Sequence, residues 1–218
     1  VNLPYMNSKT QDPLIRPYML LAEKIGSLIA QIYENNPQQI EINYRGDLAG
    51  IDKGLIRLGF MKGYLSSSSD HYISYVNAET FFHKLGIKLD ESEEPDFQSY
   101  RSSLKVSVIN QKGQRLTIAG LVFDHKYIRL SMVNQFHFEV EPTGRFLVVQ
   151  NKDKPGVVGA LGKTLSENNI NIDSFELCRD KEGGEAMALV KIDQEIPSDV
   201  LHRIASLENV LSARVVCL

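Results

Sequence analysis

The chain lacks most of the features that mark secreted, metal-binding, nucleic-acid-binding and membrane proteins. Its 218 residues include two cysteines, Cys178 and Cys217, which fit neither a metal-ligand spacing nor a disulfide framework. A net charge of −3 argues against a nucleic-acid footprint. No apolar run approaches the roughly 18 residues that a membrane span needs, and no basic-then-apolar signal pattern opens the chain. We therefore expect a cytoplasmic protein without nucleic-acid or membrane partners.

Signals of catalysis are missing as well. Gly156, Gly159 and Gly162 recur every three residues, which is not the G-x-G-x-x-G dinucleotide fingerprint. Gly162-Lys163-Thr164 ends like a P-loop, but Val157 stands where its first glycine belongs, and the segment is predicted in mid-helix. We expect no catalytic residue, metal or cofactor in this chain. The five histidines are scattered and none lies beside a convincing acid or nucleophile: His71, His83, His125, His137 and His202.

What is present is enough apolar sequence for a folded core in two parts. Hydrophobic residues make up 43% of the chain, and the length suits one large or two small domains. Because the chain starts at Val1 and not at Met, we expect it to be processed or to be part of a longer protein. The proline-containing segment Glu141–Gly144 is the best boundary. These features predict a linker at residues 1–10, an α/β domain at 11–141 and a second domain at 145–218.

Residues 11–141 alternate between helical and strand periodicity. Apolar spacings of three and four predict helices, including one over Leu48–Leu58. The acidic stretch Asp90–Ser99 predicts a solvated loop, and Lys112-Gly113 predicts a hairpin turn. The predicted helices are Tyr18–Ile32, Leu48–Leu58 and Ala78–Leu85, and the predicted strands are Gln39–Tyr44, Ile87–Leu89, Leu104–Val108, Leu116–Phe123, Tyr127–Leu130 and Phe136–Val140.

Residues 145–218 show the order β-α-β-β-α-β. Val158, Leu161 and Leu165 give the apolar stripe of its first helix. The order predicts a ferredoxin-like sandwich, so the fold class is α+β: a mixed α/β domain followed by a βαββαβ domain. The strand predicted at Ile170–Arg179 would lie at the sheet edge. Its apolar residues favour pairing with the same strand of a second copy.

One polar constellation has the chemistry of a ligand site. Asn151–Gly156 lies between a strand and a helix, and Pro155 suits the first helical turn. The amides of Gly156, Val157 and Val158 would then face a carboxylate. Asp153 would hold an ammonium group, and Asn171 would donate and accept hydrogen bonds. An amino acid fits this set, but Asp153 as a simple helix cap and Asn171 as a turn residue stay open alternatives.

The same residues resemble a known family. Asn151–Gly159 (NKDKPGVVG), Asn169–Asp173 (NINID) and Arg179–Ala186 (RDKEGGEA) resemble the ACT domain that closes D-3-phosphoglycerate dehydrogenases. In that family the loop and an asparagine bind the feedback inhibitor L-serine across a dimer interface. The resemblance therefore implies serine binding at Asn151, Asp153 and Asn171, and a homodimer or tetramer.

The resemblance extends upstream to the intervening, allosteric substrate-binding domain of long-form enzymes. The matching segments are Val1–Pro4, Leu20–Leu28, Tyr44–Ala49, Tyr75–Ala78 and Ile118–Phe123. It implies a regulatory region whose parent oxidises 3-phospho-D-glycerate with NAD in serine biosynthesis. The family's active-site arginine, glutamate and histidine and its NAD site have no counterpart here. Some long-form members bind substrate or phosphate in the intervening domain, which makes four cations candidates for a phosphate site: Arg101, Lys105, Arg129 and Arg145.

Two alternatives come from other classes. The beta subunit of iron–sulfur L-serine dehydratases has a related domain pair and an S-S-S-H-T motif near its N-terminus. Here Ser66–Ser69 and His71 lie in mid-chain with Asp70 between them, and two cysteines cannot ligate a cluster alone. The other alternative is a stand-alone ACT sensor of a different amino acid.

Overall fold

A computed structural model describes residues 12–69, 71–96 and 101–218. These residues divide into two compact units, the first formed by the described residues up to 134 with 140–142, and the second by 135–139 and 143–218. The elements of the first part of the chain are α1 (Ile15–Ile32), β1 (Gln39–Gly46), a 3-10 turn (Asp47–Gly50), α2 (Gly54–Ser66), α3 (Ala78–Lys84), β2 (Lys88–Glu94), β3 (Ser102–Ile109), β4 (Arg115–Phe123), β5 (Tyr127–Val133) and β6 (Phe136–Val140).

Helices α1 and α2 pack closely against each other. Their approach depends on glycine, because a Cβ at Gly26 would overlap the carbonyl oxygen of Phe60, and one at Gly63 would overlap that of Glu23. The helix predicted at Leu48–Leu58 is wrong: a 3-10 turn ends at Gly50, and α2 begins only at Gly54. The apolar spacing there spans two elements because each buries a leucine of the pattern, Leu48 in the turn and Leu58 in α2.

The first sheet has the strand order β2-β1-β3-β4-β5-β6. Strand β1 pairs in parallel with β2 and antiparallel with β3, and β3, β4 and β5 continue antiparallel. The loop predicted at Asp90–Ser99 is wrong over its first part, because β2 continues to Glu94; residues 97–100 lie outside the described residues. The acidic composition indicated a solvated loop. An edge strand also tolerates charged residues, because one of its sides has no neighbouring strand, so this composition does not exclude a strand.

The two faces of this sheet differ in chemistry. Ile40, Ile42 and Tyr44 of β1 are fully buried, and α1 packs on β3, β4 and β5. The alternate positions of β1, Glu41 and Asn43, lie on the opposite face because side chains alternate along a strand. Alternation therefore gives one apolar face and one polar face.

The second unit has the predicted α+β order. Its elements are β7 (Arg145–Lys152), α4 (Val157–Glu167), β8 (Ile172–Arg179), β9 (Glu185–Ile192), α5 (Ser198–Ala205) and β10 (Val210–Cys217). The antiparallel sheet has the order β10-β7-β9-β8, which is ferredoxin-like and leaves β8 at an edge. Leu161 and Leu165 of α4 and Val200 and Ile204 of α5 pack into the core over this sheet.

The apolar stripe of α4 differs from the predicted one by one residue. Val157 is buried with Leu161 and Leu165, whereas Val158 is 47% exposed. Because the helix begins at Val157, positions i, i+4 and i+8 face the sheet. Among the described residues, no helix is both long and apolar enough to cross a membrane.

Candidate functional site

The loop between β7 and α4 presents the start of a helix without a side-chain cap. Gly156 occupies the N-cap position with φ 97°, a left-handed conformation that glycine adopts readily. The amide of Ala160 donates to the carbonyl of Gly156 at 2.9 Å, so the amides of residues 156–159 precede the first intrahelical bond. Pro155 lies just before the helix and not in its first turn, which corrects the sequence prediction. The amides of Val157 and Val158 remain at the helix start, where they favour an anion.

Asp153 is held by the turn between β8 and β9. Its Oδ2 accepts hydrogen bonds from the amide of Gly183 at 3.1 Å and from the Arg179 guanidinium at 3.2 Å. The Gly183 amide, and then Arg179, lower the pKa of this carboxyl below its ordinary value. The alternative that Asp153 caps α4 is therefore wrong, because the carboxylate points to Gly183 and Arg179. Its predicted contact with a ligand ammonium stays a prediction.

Asn151 and Asn171 differ in exposure. Asn151 is 4% exposed, and its Nδ2 donates to the carbonyl of Lys152 at 2.7 Å. Asn171 is exposed and precedes β8, which starts at Ile172 and not at the predicted Ile170. The Asn171 side chain donates to Asp193 Oδ2 at 2.7 Å. Asn171 is therefore the more accessible of the two asparagines.

The sheet register separates Asn171 from the loop within one chain. Arg179 at the end of β8 pairs with Ala186, which also pairs with Asn151 near the end of β7. Ile172 at the start of β8 pairs with Ile192 at the other end of β9. At about 3.3 Å per residue, the two ends of β8 lie roughly 20 Å apart. One small ligand cannot contact both ends in a single chain.

Asn171 lines an open groove beside the C-terminal half of α4. The groove has a volume of about 480 Å³. Its polar lining comes from Ser166, Asn169 and Asn171, and Gly162 leaves one wall without a side chain. The groove therefore offers hydroxyl and amide groups but, among its lining residues, no charge.

The four cations proposed for a phosphate site occupy different surroundings. Arg101 pairs with Asp47 at 2.5 Å, and Arg129 lies 3.9 Å from Glu141. Lys105 lines a cavity on the polar face of the first sheet. Arg145 belongs to the second unit and lines a cavity with Asp173 and Lys191. The described residues therefore do not bring the four into one cavity.

Two sets of residues were not identified from the sequence: the cations that accompany Lys105, and the arginine that holds Asp153. Arg45 and Arg115 line the same cavity as Lys105. Alternation along β1 could have found Arg45, since it follows Glu41 and Asn43 on the polar face. No local signal points from Asp153 to Arg179, because that contact depends on the β8–β9 turn. Within the described residues, no group of three or more histidine, cysteine and acidic side chains could hold a metal ion.

Comparisons with known proteins agree with this two-unit structure. Residues 14–134 match the family described as the D-3-phosphoglycerate dehydrogenase intervening domain, and residues 145–209 match the ACT domain family. The first match favours the dehydrogenase over the iron–sulfur dehydratase alternative.

Full-length relatives extend the same match. D-3-phosphoglycerate dehydrogenase of Bacillus subtilis is 28% identical over 99% of this chain and 41% of its own length. The Methanocaldococcus jannaschii enzyme of that name is 29% identical over 99% of this chain and 40% of its own length. The chain thus spans about 40% of these relatives. Two domain matches in the same order, covering 14–134 and 145–209, show that the chain belongs to the D-3-phosphoglycerate dehydrogenase family and forms its regulatory region.

Proposed function

We propose that this chain senses L-serine for a D-3-phosphoglycerate dehydrogenase of the cytoplasm. The catalytic part of that enzyme, which this chain does not contain, would oxidise 3-phospho-D-glycerate to 3-phosphohydroxypyruvate with NAD, the first step of serine biosynthesis. The observation that carries the proposal is the placement of the polar loop and Asn171 at opposite ends of the edge strand β8. This placement is what a ligand site shared between two copies requires.

Two-fold pairing of β8 with itself would complete the site. In an antiparallel pair, the start of each strand lies beside the end of the other. The Arg179 end of one copy, with its loop at Asp153, would then approach Asn171 of the other copy. An isologous interface repeats this arrangement, so each pair of chains has two equivalent sites.

The charges around the loop suit a zwitterionic amino acid. The amides of Val157 and Val158, which precede the first intrahelical hydrogen bond of α4, would attract a carboxylate. Asp153 Oδ2 already has two donors, Gly183 N and Arg179, so a ligand ammonium would approach the other carboxylate oxygen. The side-chain amide of Asn171, which now donates to Asp193, would form a hydrogen bond to the hydroxyl or the carboxylate of the ligand. A small amino acid with a hydroxyl group, such as serine, could bind the α4 amides, Asp153 and Asn171 together.

Calorimetric titration of the chain with L-serine, alongside D-serine and L-leucine, tests the proposal. We expect saturable binding of L-serine with one ligand per chain, and weaker binding of the other two. Sedimentation velocity on the same samples reports the assembly state. A paired chain that binds no L-serine would contradict serine sensing, and a strict monomer would contradict the shared site.

A further inference from the structure

We propose that β2 is a releasable strand, which detaches from the first sheet as a unit when rising ionic strength screens the contacts that hold it. The proposal concerns contacts within the first unit and does not depend on serine sensing. β2 lies at the edge of the sheet and pairs on one side only, in parallel with β1. Its release would uncover the edge of β1 while the rest of the sheet stays folded.

β2 has little apolar anchoring. All seven of its residues are partly or fully exposed, and Leu89 is its one apolar side chain. Strand β3, on the other side of β1, differs because Leu104, Val106 and Val108 are fully buried. Burial of apolar surface is the dominant favourable term in folding. β2 therefore buries few apolar groups of its own, whereas β3 is held by the core.

Carboxylates occupy the face of β2 that a core strand would fill with apolar side chains. The register places Glu93 beside the buried Tyr44, and Glu91 lies on the same face because side chains alternate along a strand. Glu91 accepts hydrogen bonds from Arg57 at 2.8 Å and from the Tyr44 hydroxyl at 2.6 Å. Glu93 lies 2.5 Å from the ammonium of Lys53. Contacts between polar and charged groups therefore take the place of a core on this face.

Polar contacts hold the opposite face of β2 as well. Three side chains of β1 each donate a hydrogen bond to a β2 residue on this face. The pairs are Gln39 with Asp90 at 2.7 Å, Asn43 with Ser92 at 3.0 Å, and Arg45 with Glu94 at 2.8 Å. Every position from 90 to 94 is therefore tied by a polar side-chain contact to β1 or to residues 53–57.

Three ion pairs among these contacts respond to salt together. They are Arg45 with Glu94, Lys53 with Glu93, and Arg57 with Glu91. Their carboxylate side chains are 29% to 50% exposed, so each pair is weak and accessible to counterions. The screening length falls from about 10 Å at about 0.1 M salt to about 3 Å at about 1 M. Because all three pairs hold the same short strand, screening weakens them jointly, and the strand opens more readily as salt rises.

Hydrogen exchange of the whole chain, read by mass spectrometry at about 0.05 M and about 1 M sodium chloride, tests the proposal. We expect the β2 amides to exchange about three- to tenfold faster at the higher salt, because the opened strand is more populated. The β3 amides should keep their rate. A double variant, Glu91→Gln with Glu93→Gln, should exchange faster in β2 already at low salt and lose most of the salt response. Asp124→Asn, in the exposed β4–β5 turn, is the matched control for charge removal.

Three outcomes would overturn the proposal. One is a β2 exchange rate that is the same at both salt concentrations. Another is faster exchange of β2 and β3 together, which would mean that salt destabilises the whole sheet. The third is a full salt response in the folded double variant, which would assign the response to other contacts. A thermal melt shows whether each variant is folded, and the unmodified chain alone decides the first two outcomes.

Discussion

Strand β2 ends the first sheet with four acidic residues, whereas β8 ends the second sheet with Ile172, Phe175 and Leu177. The acidic residues of β2 are Asp90, Glu91, Glu93 and Glu94. An exposed strand edge can pair with another chain, and charge on the edge prevents this. Leu177 is 46% exposed on β8, so an apolar side chain stands in solvent at an open edge. The difference indicates that the β2 edge of the first sheet is protected against self-pairing and that the β8 edge of the second sheet is suited to it.

A charge placed on β8 should have the largest effect, because it would act directly on self-association through this edge. Leu177→Glu would put a carboxylate into the β8–β8 pair, and we expect self-association to weaken by at least about a hundredfold, because burying an unpaired charge costs more than losing the leucine contact. Sedimentation equilibrium measures the association constant. Ser92→Glu on β2 is the control and should leave association unchanged. An unaltered dimer of Leu177→Glu would rule out pairing through β8.

Removing the Asp153 carboxylate should have the next largest effect. We expect Asp153→Ala to weaken L-serine binding on the order of ten- to a hundredfold, because a charge-assisted hydrogen bond to the ligand ammonium is lost. Calorimetry and the melting temperature are measured together, with Asp199→Ala on α5 as the exposed control. A lower melting temperature with unchanged serine affinity would mean that Asp153 only holds the β8–β9 turn.

Replacing Arg179 should have a smaller effect, which would be seen in the pKa of the Asp153 carboxyl. Its folded-state pKa lies below the ordinary value of 3.8, so the carboxylate contributes stability above that pH and loses it as the pH falls through the depressed pKa. Arg179→Gln should raise this pKa only in part, since the Gly183 amide is the larger cause. Carbon-detected NMR titration of the carboxyl checks both statements. A midpoint in Arg179→Gln equal to that of the unmodified chain would deny the arginine any electrostatic role.

Neutralising one acid on β2 should have the smallest effect. Glu93 pairs with Lys53 at 2.5 Å but is 50% exposed, so Glu93→Gln should change the free energy of unfolding by less than about 1 kcal/mol. Three acids remain on the strand, and we expect association to stay the same. Urea unfolding and sedimentation measure the two quantities. New self-association of this variant would show that the edge is protected by a single charge.

The second unit could be predicted from the sequence more fully than the first. Its strands and helices are short, and each has one dominant period, so β7 to β10 appear in the predicted order. The structure of the first unit differs from the prediction at two places. One is Leu48–Leu58, where two elements share an apolar spacing, and the other is β2, where acidic residues form a strand. The predicted strand at Ile87–Leu89 overlaps only the start of β2. The acidic continuation of β2 to Glu94 could not be detected from propensity, because it depends on pairing with β1, whose register is a tertiary property.

The candidate site could be predicted as a set of residues but not as a geometry. The sequence indicates Asp153 and Asn171 as polar residues flanking a helix. It cannot place them at opposite ends of one strand, because that follows from the pairing of β8 with β9. It also cannot assign Arg179 to Asp153, since the two are 26 positions apart.

In the proposed serine site, the loop and Asn171 lie at opposite ends of β8, so the affinity for the ligand would depend on the concentration of the chain itself. In the proposed pair, serine binds only where two chains meet, so each bound serine favours the associated state, and each association favours binding by the same factor. Apparent affinity should therefore fall on dilution of the protein. Cells that make more of this protein would sense lower concentrations of serine, without any change in the residues that contact it.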